Sequence, residues 1–235
     1  YFTFNKFLNK KDIFSFYLIF LLICFQGFIG WYMVKSGLSE RTDVSHYRLS
    51  LHLTIAFIIL IFLIWNFLSF KHSDCKKNKF RLPINLPLIF IFLVILQISF
   101  GAFVSGLDAG KIYQTWPMMN YSYYPDDASF KDLFSINSLE MPSMVQFIHR
   151  NLAYFIFLVF LLIFFIVFKN SEYSQLRKTI LVIFFTLLLQ IFLGILTILS
   201  GAQIYLASMH QIGSIFLILS SVVFVFKNYR LTNSF

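Results

Sequence analysis

Six stretches of this 235-residue chain are continuously apolar over about twenty residues or more, and that length decides what the chain can fold into. They fall at 13–34, 49–69, 86–107, 145–168, 179–199 and 205–226. A helix rising ~1.5 Å per residue needs about 20 apolar residues to cross a hydrocarbon core ~30 Å thick. In lipid, each backbone N–H and C=O must be satisfied by the chain itself, which leaves helices or closed barrels. The period-two alternation of barrel strands is absent. The expected fold is therefore an all-α polytopic membrane protein with six transmembrane helices. Composition agrees: 59% of residues are hydrophobic and only 12% charged, where a soluble domain carries about 25% charge.

The net charge of +9 does not point to nucleic acid, because the charges lie in short connections. Lys6, Lys10 and Lys11 precede the first helix. Lys71, Lys76, Lys77, Lys79 and Arg81 outnumber Asp74 between the second and third. Lys169, Arg177 and Lys178 lie between the fourth and fifth, and Lys227 and Arg230 follow the sixth. The other side is acidic: the long third-to-fourth loop carries Asp108, Asp126, Asp127, Asp132 and Glu140 against Lys111 and Lys131. Only the first-to-second loop, with Lys35, Glu40, Arg41, Asp43 and Arg48, is equivocal. Cationic loops stay in the cytoplasm, so both termini of this chain are expected there and the acidic loop outside. With Cys24 in an apolar run and Cys75 in a basic loop, no disulfide is expected.

The odd helices share a pattern: Gln26-x-x-x-Gly30 before Ser36-Gly37-Leu38, Gln97-x-x-x-Gly101 before Ser105-Gly106-Leu107, and Gln190-x-x-x-Gly194 before Ser200-Gly201. The i,i+4 spacing places Gln and Gly on one face. Each even helix has one histidine near its outer end: His52, His149 and His210. The repeated unit is a hairpin with a Gln/Gly helix going out and a His helix returning, three times over. One histidine on an apolar helix is ordinarily a satisfied core residue. Three at matching depth suggest chemistry, since ionisable groups are costly in lipid.

Zinc favours histidine with cysteine or carboxylate, and none lies at this depth. Haem iron takes axial histidines from facing helices, with small residues giving the ring room. His149 and His210, on adjacent hairpins, are the natural ligand pair for one haem. Arg150 is a candidate propionate partner; snorkelling to the interface explains it nearly as well. Counting repeats leaves His52 without a partner, and the first residue is Tyr1. Together these suggest a further hairpin upstream, making an eight-helix bundle of two halves, with 1–75 the remainder of the first and 76–235 the second, each half with a haem-sized site. His46 and His72 read as solvated loop residues. Asp108 reads as a helix terminus in water, and Tyr113, Trp116, Tyr121, Tyr123 and Tyr124 read as interfacial anchors or, alternatively, a lid over a haem edge. Met209, beside His210, reads as packing.

Several segments, in order, resemble the haem A synthase family in its proteobacterial and mitochondrial form: GWYMVKSGL at 30–38, YRLSLHLTIA at 47–56, GAFVSGLDAGKIYQTWPMM at 101–119, VQFIHRNLAY at 145–154, LLLQIFLGILTILSG at 187–201 and ASMHQIGSI at 207–215. The resemblance implies eight helices, of which this chain matches the last six. The unmatched hairpin would hold a glutamate thought to take part in catalysis and a histidine that partners the one matching His52. The implied reaction oxidises the C8 methyl of haem O to a formyl group, giving haem A, with water as the oxygen source. A haem b cofactor would lie between His149 and His210, and the substrate haem would touch His52. The resemblance also implies a bacterial inner membrane. Expected partners are membrane lipid, a haem O synthase and cytochrome c oxidase assembly factors; a homo-oligomer is left open. Absence of the glutamate puts activity of this chain by itself in question. The alternative is a bis-histidine membrane cytochrome b that only transfers electrons, which leaves His52 unexplained. A transporter of repeated hairpins would want carboxylates at mid-membrane, and the six runs contain none.

The topology is testable with a membrane-impermeant thiol reagent. Cys75 should resist labelling in intact spheroplasts and react once they are opened, while a Tyr121→Cys variant should react in intact cells. Labelling of Cys75 from outside would reverse the orientation.

Overall fold

The computed structural model describes residues 10–37, 44–72 and 82–230. Six long helices account for most of them: α1 (Lys10–Gly37), α2 (His46–Lys71), α3 (Asn85–Gly106), α4 (Pro142–Lys169), α5 (Arg177–Leu199) and α6 (Ile204–Arg230). All six contain windows long and apolar enough to cross a membrane, and no strand occurs among the described residues. The chain is an all-α, multi-pass membrane protein. Several helices outrun the apolar stretches that predicted them because helix geometry continues into the polar flanks. Pro142 starts α4 three residues early, where its missing N–H costs nothing and its φ suits the first turn.

Helices follow one another as antiparallel neighbours, but the core is not shared equally. α6 packs against α2 and α3 as well as α5, whereas α1 packs chiefly on α2. The spanning window of α6 is 50% buried and that of α1 only 11%, so α6 is central and α1 peripheral. The main core joins Phe57 and Ile64 of α2, Phe90 and Val94 of α3, Phe160 and Ile163 of α4, Ile180 and Ile183 of α5, and Ile218 and Phe224 of α6. Helices from both expected halves thus share one core. The boundary expected at residues 75–76, together with Cys75 and the cations Lys76, Lys77, Lys79 and Arg81, lies outside the described residues.

With no water to compete and no hydrophobic drive between helices in lipid, close packing and interhelical hydrogen bonds hold such a bundle. Ser50 of α2 donates to the Ser99 carbonyl of α3 at 3.0 Å, and the two hydroxyls lie 2.8 Å apart. At the lysine-rich end, the fully buried Asn228 forks onto the backbone of Leu82: its amide donates to the Leu82 carbonyl at 3.1 Å and its oxygen accepts the Leu82 N–H at 2.9 Å. Trp65 of α2 meets Phe226 edge-on at 5.2 Å, and His72, expected in solvent, lies 6.0 Å from the same ring. The equivocal cations of the first connection rest on aromatic faces, Lys35 over Trp31 and Arg48 over Tyr32, which lowers the cost of holding charge beside the apolar span.

Replacing Asn228 by Leu would strand both backbone groups of Leu82 in a buried place. An unsatisfied buried group costs ~1–3 kcal/mol, so a marked fall in detergent thermal stability is expected, larger than for Ser220→Ala. An unchanged melting temperature would show that the fork contributes nothing.

Candidate functional site

Each hairpin brings its histidine against the glycine of the preceding helix. A Cβ at Gly30 would come 3.1 Å from the His52 ring, one at Gly101 3.3 Å from His149, and one at Gly194 3.2 Å from His210. The three imidazoles therefore occupy space that only glycine leaves open. In the first two hairpins the glutamine one turn earlier completes the arrangement. The Gln26 amide nitrogen donates to the His52 carbonyl at 3.0 Å and lies 3.1 Å from ring Nε2. Gln97 does the same for His149, at 3.0 and 3.2 Å. Nδ1 of all three histidines is buried and without a hydrogen-bond partner. His149 and His210 stand on successive hairpins, α3–α4 and α5–α6. No cluster of three or more metal-binding side chains exists among the described residues, so the arrangement offers imidazoles singly or in pairs.

Above these rings lies a folded cap made from residues 107–141, between α3 and α4. The cap is tied down by side chains of α4. Arg150, 6% exposed, donates to the Tyr113 carbonyl at 3.0 Å and the Met118 carbonyl at 3.3 Å. Gln146, almost wholly buried, donates to the same Tyr113 carbonyl at 3.0 Å. Trp116 donates its indole N–H to Tyr154 at 2.9 Å, and Tyr123 donates to Asn151 at 2.6 Å. Gly201, in the α5–α6 turn with φ of 68°, lets Gln114 of the cap approach within 3.0 Å of where a Cβ would stand. The cap thus rests on the ends of α3, α4 and α5 and on the turn before α6.

Several expectations change here. Arg150 is neither snorkelling nor free, because two of its nitrogens serve the cap; its Nε has no partner. Tyr113 is buried and donates to Asp127 at 2.8 Å instead of anchoring at an interface. Tyr121, by contrast, is 98% exposed. His46 is not solvated: its ring stacks obliquely on Tyr47 and Phe103, and Nε2 lies 3.5 Å from the Glu140 carboxylate. Asp108 ends the third helix in a left-handed conformation, φ 51°, with Lys111 at 2.8 Å. Met209 is more than half exposed and packs little. Gln146 and the Ser50–Ser99 contact were missed; small or polar residues inside apolar runs were the available signal.

A family model described as COX15-CtaA, cytochrome oxidase assembly protein, matches residues 1–222. The chain belongs to that family. It is 46% identical over 96% of its length to a protein named Heme A synthase from Pelagibacter ubique (strain HTCC1062), 38% identical over 93% to one of that name from Rickettsia felis, and 37% identical over 96% to one from Wolbachia pipientis wMel. It spans 63–65% of the length of these relatives. Within the family match, the three Gln/Gly/His hairpins and the cap are all included, so the relatives share the region that carries the site.

The cap's hydroxyls titrate late. Burial first, then the Asp127 hydrogen bond, pushes Tyr113 above its ordinary value; burial also leads for Tyr123 and Tyr124. A tyrosine raised on folding stabilises the fold fully below its unfolded value of about 10 and loses that contribution as pH rises through the folded value. Limited proteolysis within 107–141 should accelerate at strongly alkaline pH, and Tyr113→Phe should blunt that acceleration. Arg150→Met should loosen the cap already at neutral pH, by about 2 kcal/mol or more, since hydrogen bonds from a charged donor are lost. Wild-type cleavage rates in Arg150→Met would show that Arg150 does not hold the cap.

Proposed function

We propose that this chain is the part of a haem A synthase that holds a resident haem b between His149 and His210 and supplies His52 to the site of the substrate, haem O. The observation that carries the reading is the placement of an imidazole against a glycine of the preceding helix, three times over. The residues fit the group: two imidazoles from successive hairpins, no carboxylate in the six apolar runs to favour another metal, and a pair of glycines giving close approach. When bound, the haem supplies reversible one-electron change at its iron.

The chain's own residues then do three things in this reading. His149 and His210 fix the cofactor by their rings. Gln146 and Arg150 hold the cap over that end of the bundle and exclude water, and the unpartnered Nε of Arg150 remains available to a propionate. His52 orients the substrate haem, with its partner histidine and the catalytic glutamate supplied from beyond the described residues, in an eight-helix whole. The overall reaction converts the C8 methyl to a formyl group, with oxygen taken from water and four electrons and four protons passed to an acceptor. A haem O synthase would deliver the substrate, and cytochrome c oxidase assembly would consume the product. The bacterial inner membrane with cytoplasmic termini fits the charge pattern.

The test is a reduced-minus-oxidised spectrum with haem extraction on the detergent-purified chain. A low-spin haem b signal is expected, lost in His149→Ala and in His210→Ala and retained in His52→Ala. Its persistence in both ligand variants, or no bound haem in folded protein supplied with haem, would overturn the site. Formation of haem A from haem O by the full-length protein separates the enzyme from a bis-histidine cytochrome that only carries electrons.

A further inference from the structure

The three hairpins match in sequence but use their glutamines differently. In the first two, one amide nitrogen faces two acceptor positions at once. Gln26 reaches the His52 carbonyl at 3.0 Å and its Nε2 at 3.1 Å; Gln97 reaches the His149 carbonyl at 3.0 Å and its Nε2 at 3.2 Å. A backbone carbonyl can only accept, so the amide atom facing it must be nitrogen, which can only donate. The same nitrogen therefore donates to ring Nε2, and Nε2 must present its lone pair. A neutral imidazole with its lone pair at Nε2 carries its hydrogen at Nδ1.

The third hairpin breaks the pattern. The Gln190 side chain lies against Gly213 of α6, where a Cβ would collide with its amide nitrogen, and that nitrogen has no hydrogen-bond partner. Gly213 follows His210 by three residues; Ile55 and Leu152 occupy the matching places after His52 and His149. Gln26 and Gln97, whose partner helices carry a side chain at that place, lie on their histidines instead.

We infer that Gln26 and Gln97 are positioning residues that hold His52 and His149 in the Nδ1–H tautomer, so that Nε2 is the nitrogen presented to iron, and that Gln190 does not do this for His210. The inference extends the haem reading above by naming what sets the ligand atom. In the Nδ1–H tautomer Nε2 carries the only ring lone pair, so it is the one nitrogen that can bind iron. Here the amide holds Nε2 by a single hydrogen bond and yields it on ligation, while its second hydrogen stays on the backbone carbonyl. His149 is thereby the pre-set ligand of the pair and His210 the freer one.

The measurement is nitrogen NMR of the haem-free, [15N]histidine-labelled chain in detergent, with signals assigned by loss in His52→Ala and His149→Ala. Both rings are expected in the Nδ1–H form. Gln97→Leu should release His149 alone into a tautomer mixture, Gln26→Leu should release His52 alone, and Gln190→Leu should alter neither. Should Gln97→Leu fail to fold, Gln97→Asn, one methylene too short to reach, replaces it. An Nε2–H form in the unsubstituted chain, or equal effects of Gln97→Leu and Gln190→Leu, overturns the inference. Because the NMR needs no haem, correct tautomers in a chain that binds none would count against the proposed function and leave the glutamine assignment standing.

Discussion

An imidazole placed among apolar helices has no water to bond, and a desolvated polar group is costly until the protein supplies partners. The rest of the architecture depends on how that demand is met three times. Each histidine is accepted by a glycine that leaves space for the ring, and two of the three are held by a glutamine one turn away. Because the glycine and glutamine lie on the outgoing helix and the histidine on the returning one, the arrangement also sets the register of each hairpin. A shift of one residue would turn the histidine away from its glycine and into side chains or lipid.

The cap and the lysine-rich end stabilise this register from opposite sides. At one end Arg150 and Gln146 use buried nitrogens on the carbonyls of Tyr113 and Met118. At the other, Asn228 closes α6 onto the start of the α3 segment through Leu82, while Arg177 donates to the Phe168 carbonyl near the end of α4. A carbonyl left unpaired at a helix end is a favourable partner for a cation. Both ends thus convert exposed backbone groups into links between helices, so the apolar middle can consist of little more than Phe, Leu and Ile.

Family membership and geometry answer different questions. The relatives named Heme A synthase make haem the group to consider, yet sequence likeness cannot say which atom of a histidine is presented. That depends on an amide nitrogen about 3 Å away on another helix. The likeness also treats the three hairpins as equivalents, whereas Gly213 allows Gln190 to lie elsewhere and makes the last hairpin different.

The six spans, their all-helical character and the three-fold Gln, Gly and His pattern were determined by the sequence itself. Length and apolarity act locally, and lipid permits few alternatives to a helix. The candidate histidines were legible for the same reason: a polar residue is conspicuous in an apolar run. What only the tertiary structure decided were the partners. Arg150 turned to the cap instead of to solvent, Tyr113 was buried beneath it, His46 reached Glu140, and His72 settled on Phe226. None of these could be read locally, because a hydrogen bond or ring contact between residues distant in the chain depends on where packing brings two helices together.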